Sequence, residues 1–282
     1  MKNIRGSRAL ALLLCLLLLP LSVLAADDYP VKIDKKDLSQ AASVPKSMQT
    51  IALFLLDSEE SSDVETVLLA SIDKSSGRAC MTDIRTDILA EIPQVGYIPL
   101  AKAYAYGGPN LMMKSINELL EMNVNSYVTL DVSSFAQIAD SVGGMQMPLN
   151  AEEAAALGLS EGQQTLTGKQ AIAYMRLKGN NIDGKSRQYK SIMQILYQGT
   201  RDKNPISLMG LAQKLMSTMQ TNLGIMDMIT LATKVMGGSQ RDELMLPGTA
   251  ALLEGRFEDT TVYETDWAAM RQELHAFLFP QN

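Results

Sequence analysis

With one histidine, two cysteines and one tryptophan among 282 residues, the chain lacks the side chains on which several kinds of chemistry depend. His275 stands alone. A single imidazole in a C-terminal helix gives poor support to a Ser-His-Asp hydrolase, a Cys-His enzyme or a histidine-rich zinc site, and its expected place is the packing or surface of that helix. Cys15 falls inside an apolar leader run, without the small preceding residue that lipid attachment needs. Cys80 is then the only other thiol, and one thiol makes no internal disulfide, so the fold has to rest on its apolar core. Cys80 follows Gly77 in a strand-like run and reads as a buried small hydrophobe. No Walker loop, dinucleotide fingerprint, internal repeat or low-complexity tract is present. Lys and Arg number 25 against 31 Asp and Glu, a balance unsuited to a nucleic-acid partner.

Met1 to Ala25 has the form of an export signal. Lys2, Arg5 and Arg8 give a basic start, Ala9 to Leu24 is almost wholly apolar, and Val23-Leu24-Ala25 offers small residues for cleavage. Pro20 interrupts a run already near the lower limit for spanning a bilayer. A cleaved signal is therefore the first expectation and a retained anchor the second, and both put the rest of the chain outside the cytoplasm. Loss of the three leader cations takes the formal charge from -6 to -9.

What the sequence does have is apolar mass. Hydrophobic residues make up 46%, ample for a sizeable core, and methionine at 18 far outnumbers the five phenylalanines. Met is pliant core filler, and it also suits a cavity that wraps a flexible apolar ligand. Asp27 to Ser47 is polar and reads as a tether or irregular lead-in. Strands are expected at Thr50–Leu56, Val64–Ile72 and Arg78–Ile84, the last two as a hairpin about a turn at Lys74–Gly77. A helix is expected from Pro109 to Glu121, a strand at Tyr127–Val132, a helix at Phe135–Val142 and a strand at Met145–Leu149. Helices follow at Thr167–Leu177, Tyr189–Arg201, Leu208–Gln220 and Asp227–Met236. Strands near Leu244–Leu246 and Thr261–Tyr263 precede a closing helix at Asp266–Phe279. This mixture predicts an α/β fold, a three-layer α-β-α sandwich with a mixed central sheet.

Two features bear on chemistry. The span from Ala171 to Gln188 gathers Arg176, Lys178, Lys185, Arg187 and Gln188 in a chain of negative net charge, which fits either a solvated helix face with its loop or a seat for a compact anion. Asp57, at the end of a strand, has Asp63 and Glu65 close behind it. Such carboxylates make an acidic surface turn or offer oxygen ligands to a hard cation such as Mg²⁺. Arg85, flanked by Asp83 and Asp87, taken singly reads as a surface ion pair.

In order along the chain, LLDS at Leu55, ETVLLASI at Glu65, Arg85 before EIP at Glu91, AYAYGG at Ala103, YVTLDVSSFAQIADSVGG at Tyr127, LTGKQAIAYMRLK at Leu166 and SRQ at Ser186 resemble successive motifs of the LytR-CpsA-Psr family, also labelled cell envelope-related transcriptional attenuators. The likeness continues through LPGTAAL and DWAAMRQELHAFLF. It implies one such domain over residues 49–282, with a core at 49–202 and a helical and strand extension at 203–282, preceded by the leader at 1–25 and a polar lead-in at 26–48. It further implies an apolar channel for a prenyl chain and a place on the outer face of the plasma membrane, mostly in Gram-positive bacteria. The implied activity moves a glycopolymer phosphate from a polyprenyl-pyrophosphate carrier to peptidoglycan.

Carried over position by position, the resemblance assigns Arg85, Arg176, Lys178, Lys185 and Gln188 to the pyrophosphate, Asp57 and Glu65 to Mg²⁺, and Asp57, Glu65 and Arg85 to catalysis. The chain departs from the family pattern at several of these places. Lys178, Lys185 and Asp63 stand where arginine is usual, Glu65 where aspartate is usual, Ala101 replaces an asparagine, and Thr86 separates Arg85 from Asp87. Lysine keeps the charge but loses the two-pronged grip on phosphate, and Asp63 inverts the sign. Weakened phosphate affinity is the implied consequence. An accessory or regulatory member that binds polyprenyl phosphates or wall polymer without turnover is thus the alternative to a transferase, and a purely structural envelope protein with a closed interior is a third reading.

Overall fold

A computed structural model describes residues 29–38, 41–58, 63–177, 187–201, 205–237 and 241–280. The expected leader, Lys178 and Lys185 lie outside those residues. The architecture is an α/β fold around a mixed six-stranded sheet. Its strands are β1 (Met48–Leu56), β2 (Val64–Asp73), β3 (Ala79–Ile84), β6 (Val124–Asp131), β9 (Gln220–Thr221) and β10 (Arg241–Leu246), in the order β10-β3-β2-β1-β6-β9. β2 runs antiparallel to β1 and β3, whereas β6 is parallel to β1 and β10 to β3. The carboxyl ends of β1, β3 and β6 therefore share one edge with the start of β2.

Alternation along these apolar strands divides the core in two. On one face Ala52, Phe54, Val67 and Leu69 pack with α1 (Ala103–Leu120) and the closing helix α8 (Trp267–Leu278). On the other, Ile51, Leu55 and Leu68 pack with α2 (Val132–Ser141), α3 (Ala151–Leu157), α4 (Gly168–Met175), α5 (Arg187–Arg201), α6 (Pro205–Met216) and α7 (Ile225–Gly237). Side chains at the ends of these helices satisfy backbone N–H groups that have no partner within the helix. Asp131 accepts from Ser134 N at 2.7 Å to start α2, Asn150 and Glu153 form a capping box on α3, and Thr167 and Gln170 form another on α4.

Several boundaries differ from the sequence expectation. The helix expected to open at Pro109 does so, and a short helical segment from Ala103 to Tyr106 that was not expected precedes it across a kink at Gly107 and Gly108, whose backbone angles are not helical. Gly108 has φ +58° and ψ -156°, a region open essentially to glycine, and a Cβ there would fall 2.4 Å from the Tyr29 ring. The lead-in is docked rather than loose: Ile33, Leu38 and Val44 are buried, Asn110 donates to Ile33 O, and Val31 N donates to Tyr106 O. Additional elements are α3, the hairpin of β4 (Leu89–Ile92) with β5 (Gly96–Pro99), the pairing of β7 (Met145–Leu149) with β8 (Gly162–Leu166), and the pairing of β11 (Leu253–Phe257) with β12 (Thr260–Glu264). Cys80 is buried in β3, where desolvation pushes its thiol up to about 11. His275 packs on Phe279 and meets Leu120 O at 2.9 Å.

Between the sheet and the second helical layer lies an apolar cavity of about 160 Å³, as traced by the centre of a water-sized sphere. Leu53, Leu68 and Leu130 form its floor, and Phe135, Ile195 and Met228 are among the helical residues that close it.

Candidate functional site

The carboxyl edge of the sheet places Asp57 directly after β1. Ile51 and Leu53 line the cavity and Leu55 is buried in the same cluster, so Asp57 continues the register on the cavity side. Glu65 gets there by a different route. Leu55 pairs with Thr66 and Leu56 with Val64, so Glu65 has no residue opposite it and is the extra residue of a β-bulge. Unbroken alternation would have put Glu65 with Val67 and Leu69 in the other core. The bulge turns it towards Asp57 instead.

Arg176 caps the C-terminus of α4 and reaches the same point, its Nη2 donating to Asp57 Oδ1 at 2.6 Å and to Asp57 O at 2.9 Å. Both side chains of this pair are about half exposed, at 48% and 49%, so the contact contributes little to stability and is available for exchange with a ligand. Glu65 is more enclosed. Burial first, then a hydrogen bond and the negative charge of Asp57, push its carboxyl from 4.5 to about 7, against the lowering pull of Arg176. Its Oε2 is buried without a hydrogen-bond partner among the described residues.

Such a carboxyl requires a proton or a cation. The Asp57–Glu65 pair fits Mg²⁺, which takes one or two protein carboxylates and fills its remaining positions with water and substrate oxygens. Among the described residues no group of three or more His, Cys, Asp or Glu forms a complete metal cage. The donor set among the described residues is thus two carboxylates.

Arg85 follows β3 on the same edge, but its fork is held by Asp87, Nε to Oδ1 at 2.5 Å and Nη2 to Oδ2 at 2.9 Å, and its guanidinium stacks on Tyr263 at 4.1 Å. A phosphate at Arg85 would have to share or displace Asp87. Gln188 sits half-buried in the first turn of α5. The structure therefore brings Asp57, Glu65 and Arg176 into contact, sets Arg85 on the same edge with a carboxylate partner, and leaves Lys178 and Lys185 undescribed.

One neighbour was not singled out from sequence, and another is placed differently from its grouping there. Lys102 Nζ lies 3.7 Å from Asp63 Oδ2 and 3.7 Å from Glu258 Oε2. The signal for it was there: an acidic residue at 63 where the family has a cation, and a lysine just before AYAYGG. Arg187, grouped in sequence with the exposed cations, is instead enclosed, its Nε 3.1 Å from Glu153 Oε1 and its Nη1 donating to Leu177 O at 2.9 Å.

The model of the LytR_cpsA_psr family matches residues 22–276. A polyisoprenyl-teichoic acid–peptidoglycan teichoic acid transferase, TagU of Oceanobacillus iheyensis, is 26% identical over 186 residues, 61% of this chain and 58% of that protein. Regulatory protein MsrR of Staphylococcus aureus is 27% identical over 141 residues, 48% of this chain and 43% of that protein. The chain thus spans under two-thirds of the length of these curated relatives. Among solved structures, the LytR-CPS2A-psr family protein YwtF (TagT) with bound octaprenyl pyrophosphate lipid superposes with a TM-score of 0.65 at 19% identity, covering 85% of this chain and 96% of that one. B. subtilis TagT gives 0.66 at 18% identity over the same shares. At such identities the likeness establishes the fold.

Proposed function

Because the chain belongs to the LytR_cpsA_psr family, we propose that it is an extracytoplasmic phosphotransferase that moves a glycopolymer phosphate from a polyprenyl-pyrophosphate carrier to a peptidoglycan hydroxyl at the outer face of the plasma membrane. The observation that carries this reading is the position of the Asp57–Glu65–Arg176 cluster at the sheet edge, on the face that bears the apolar cavity. A relative with this fold was solved with octaprenyl pyrophosphate bound, and a curated relative is named as a teichoic acid transferase.

The chemistry asks for little covalent participation from the protein. An acceptor oxygen forms a bond to phosphorus, the phosphoanhydride bond breaks, and polyprenyl phosphate leaves with the electron pair. Arg176, released from Asp57, would bind two phosphate oxygens at once and neutralise charge as it develops. Arg85 would add a second fork by sharing Asp87, and Lys178, Lys185 and Gln188 are the further contacts the family pattern assigns. Asp57 and Glu65 would hold Mg²⁺, which would supply charge neutralisation at the diphosphate; in the metal-free pair the Glu65 carboxyl, raised to about 7, would instead take the acceptor hydroxyl's proton at neutral pH. The cavity would sheath the isoprenoid chain, each buried methylene contributing about 0.8 kcal/mol.

One observation favours the accessory reading: both described arginines of the site are engaged by carboxylates, Arg85 by Asp87 and Arg176 by Asp57. The test is Mg²⁺-dependent phosphate release from geranylgeranyl pyrophosphate by the chain without its leader. Turnover lost in Arg176→Ala supports the transferase; tight binding without turnover supports the accessory role; neither binding nor turnover overturns both.

A further inference from the structure

We infer that Arg187 is a positioning residue that holds Arg176 at the diphosphate site. The inference rests on the proposed function for the identity of the ligand, but its geometry stands apart from it. Arg187 opens α5 and is almost enclosed: its side chain is 12% exposed and that of Glu153 11%. Its Nε pairs with Glu153 Oε1 at 3.1 Å, its Nη1 donates to Leu177 O at 2.9 Å, and its guanidinium lies 5.9 Å from the Tyr174 ring centroid. Glu153 is fixed in turn, since its Oε2 accepts from Asn150 N at 3.2 Å and its own N–H donates to Asn150 Oδ1 at 2.8 Å.

One side chain therefore ties the N-terminus of α3, the exit of α4 and the N-terminus of α5. Arg176 lies between the two α4 groups that Arg187 touches, Tyr174 and Leu177. Its own backbone N–H donates to Ile172 O at 3.1 Å, and Leu177 N donates to Tyr174 O at 3.2 Å. The long Arg176 side chain crosses to Asp57 from this short exit turn, so a small rotation of the turn displaces its guanidinium by a large arc. A neutral residue at 187 would leave Glu153 enclosed without its cation and Leu177 O without its donor. The α4 exit would then be free to move, and preorganisation of the phosphate grip would be lost. The charge of Arg187 is consumed within the protein and is not offered to the ligand.

The experiment compares binding of geranylgeranyl pyrophosphate and of geranylgeraniol by the wild-type chain, Arg176→Ala, Arg187→Met and the double variant. Loss of one charge-assisted contact weakens diphosphate binding by on the order of tenfold to a hundredfold. Arg187→Met should weaken the diphosphate to a similar extent, leave geranylgeraniol unchanged, and add nothing in the Arg176→Ala background. Losses that multiply in the double variant would mean that Arg187 acts independently, and would overturn the inference. Should Arg187→Met not fold, Arg187→Lys keeps the charge but cannot reach both Glu153 and Leu177 O, and the same comparison applies. Should the wild type bind neither ligand, the functional reading fails and a crystal structure of the Arg187 variant decides the positioning claim: Arg176 displaced from Asp57 supports it, Arg176 unmoved refutes it.

Discussion

Replacing Glu65 with glutamine should stabilise the protein at neutral and alkaline pH and have almost no effect in acid. Glu65 ionises near 4.5 in an unfolded chain but near 7 in the fold, where it is half enclosed, bonded to Asp57 and repelled by it. Between those values the native state keeps a proton that the unfolded chain has released. Native stability therefore falls as pH rises through this window and levels off above about 7, the sign opposite to that of a salt-bridged carboxylate. The shift caps the effect at about 3 kcal/mol, and partial solvent screening reduces it to about 1–2 kcal/mol. Glutamine keeps the size and hydrogen-bonding capacity without the charge. In urea titrations with EDTA, Glu65→Gln should match the wild type at pH 4 and exceed it by about 1–2 kcal/mol at pH 8, equivalent to roughly 2–6 °C in thermal midpoint for a chain of this length. Added Mg²⁺ should stabilise the wild type at pH 8 and leave the variant unmoved, since it binds the folded carboxylate pair. A difference between the two proteins that does not change with pH would refute the reasoning, because it would mean that Glu65 binds its proton no more tightly in the fold than in the unfolded chain.

Three other substitutions probe the cavity, the helix kink and the anchoring of the closing helix. Gly199 lines the cavity from within α5, so Gly199→Leu should improve helix propensity by about 0.5–1 kcal/mol while reducing geranylgeraniol binding, measured by titration calorimetry and by thermal midpoint. Gly108→Ala places a methyl group against the Tyr29 ring at a backbone angle alanine avoids, and should lower stability in urea by about 1–3 kcal/mol. Arg78 binds Asp242 at 2.7 Å and donates to Phe277 O and Leu278 O; Arg78→Ala should cost about 2–3 kcal/mol and expose α8 to proteolysis.

The sheet was largely legible because its strands are short continuous apolar runs punctuated by turn residues. Met48–Leu56, Val64–Asp73 and Ala79–Ile84 fall within two residues of expectation, and the turn before Gly77 is the hairpin turn. What escaped were elements whose pairing supplies the order that their sequence does not. Leu89–Ile92 and Gly96–Pro99 have four residues each, and Leu253–Phe257 carries Glu254, Gly255 and Arg256, so none shows a strand period strong enough to stand alone. The helical segment ahead of Gly107 escaped for a different reason. A glycine pair followed by proline reads as a boundary, which it is, and the four residues before it are too few to show a helical period; only Tyr29 packed over Gly108 gives the kink its reason.

The candidate site divides along the same line. That Asp57 ends a strand and Arg176 ends a helix follows from local pattern, but that their side chains meet across 119 positions of sequence is a property of the packed layers. The facing of Glu65 could not have been read at all, since strict alternation assigns it to the wrong core and only the bulge at Leu55–Leu56 corrects it. Charge behaves likewise. Asp63 looks, by itself, like a reversal that should repel a phosphate from this rim. The fold sets Lys102 3.7 Å away from it, on the three-residue turn that leads into α1, and Glu258 at the same distance on the other side. Asp63 is thus not a bare charge on this corner; it is paired with Lys102, which a second carboxylate also holds, and the three groups together stay net negative. A single position misstates the field at such a site, because a bound phosphate would respond to where charge is held in space and not to which residue number holds it.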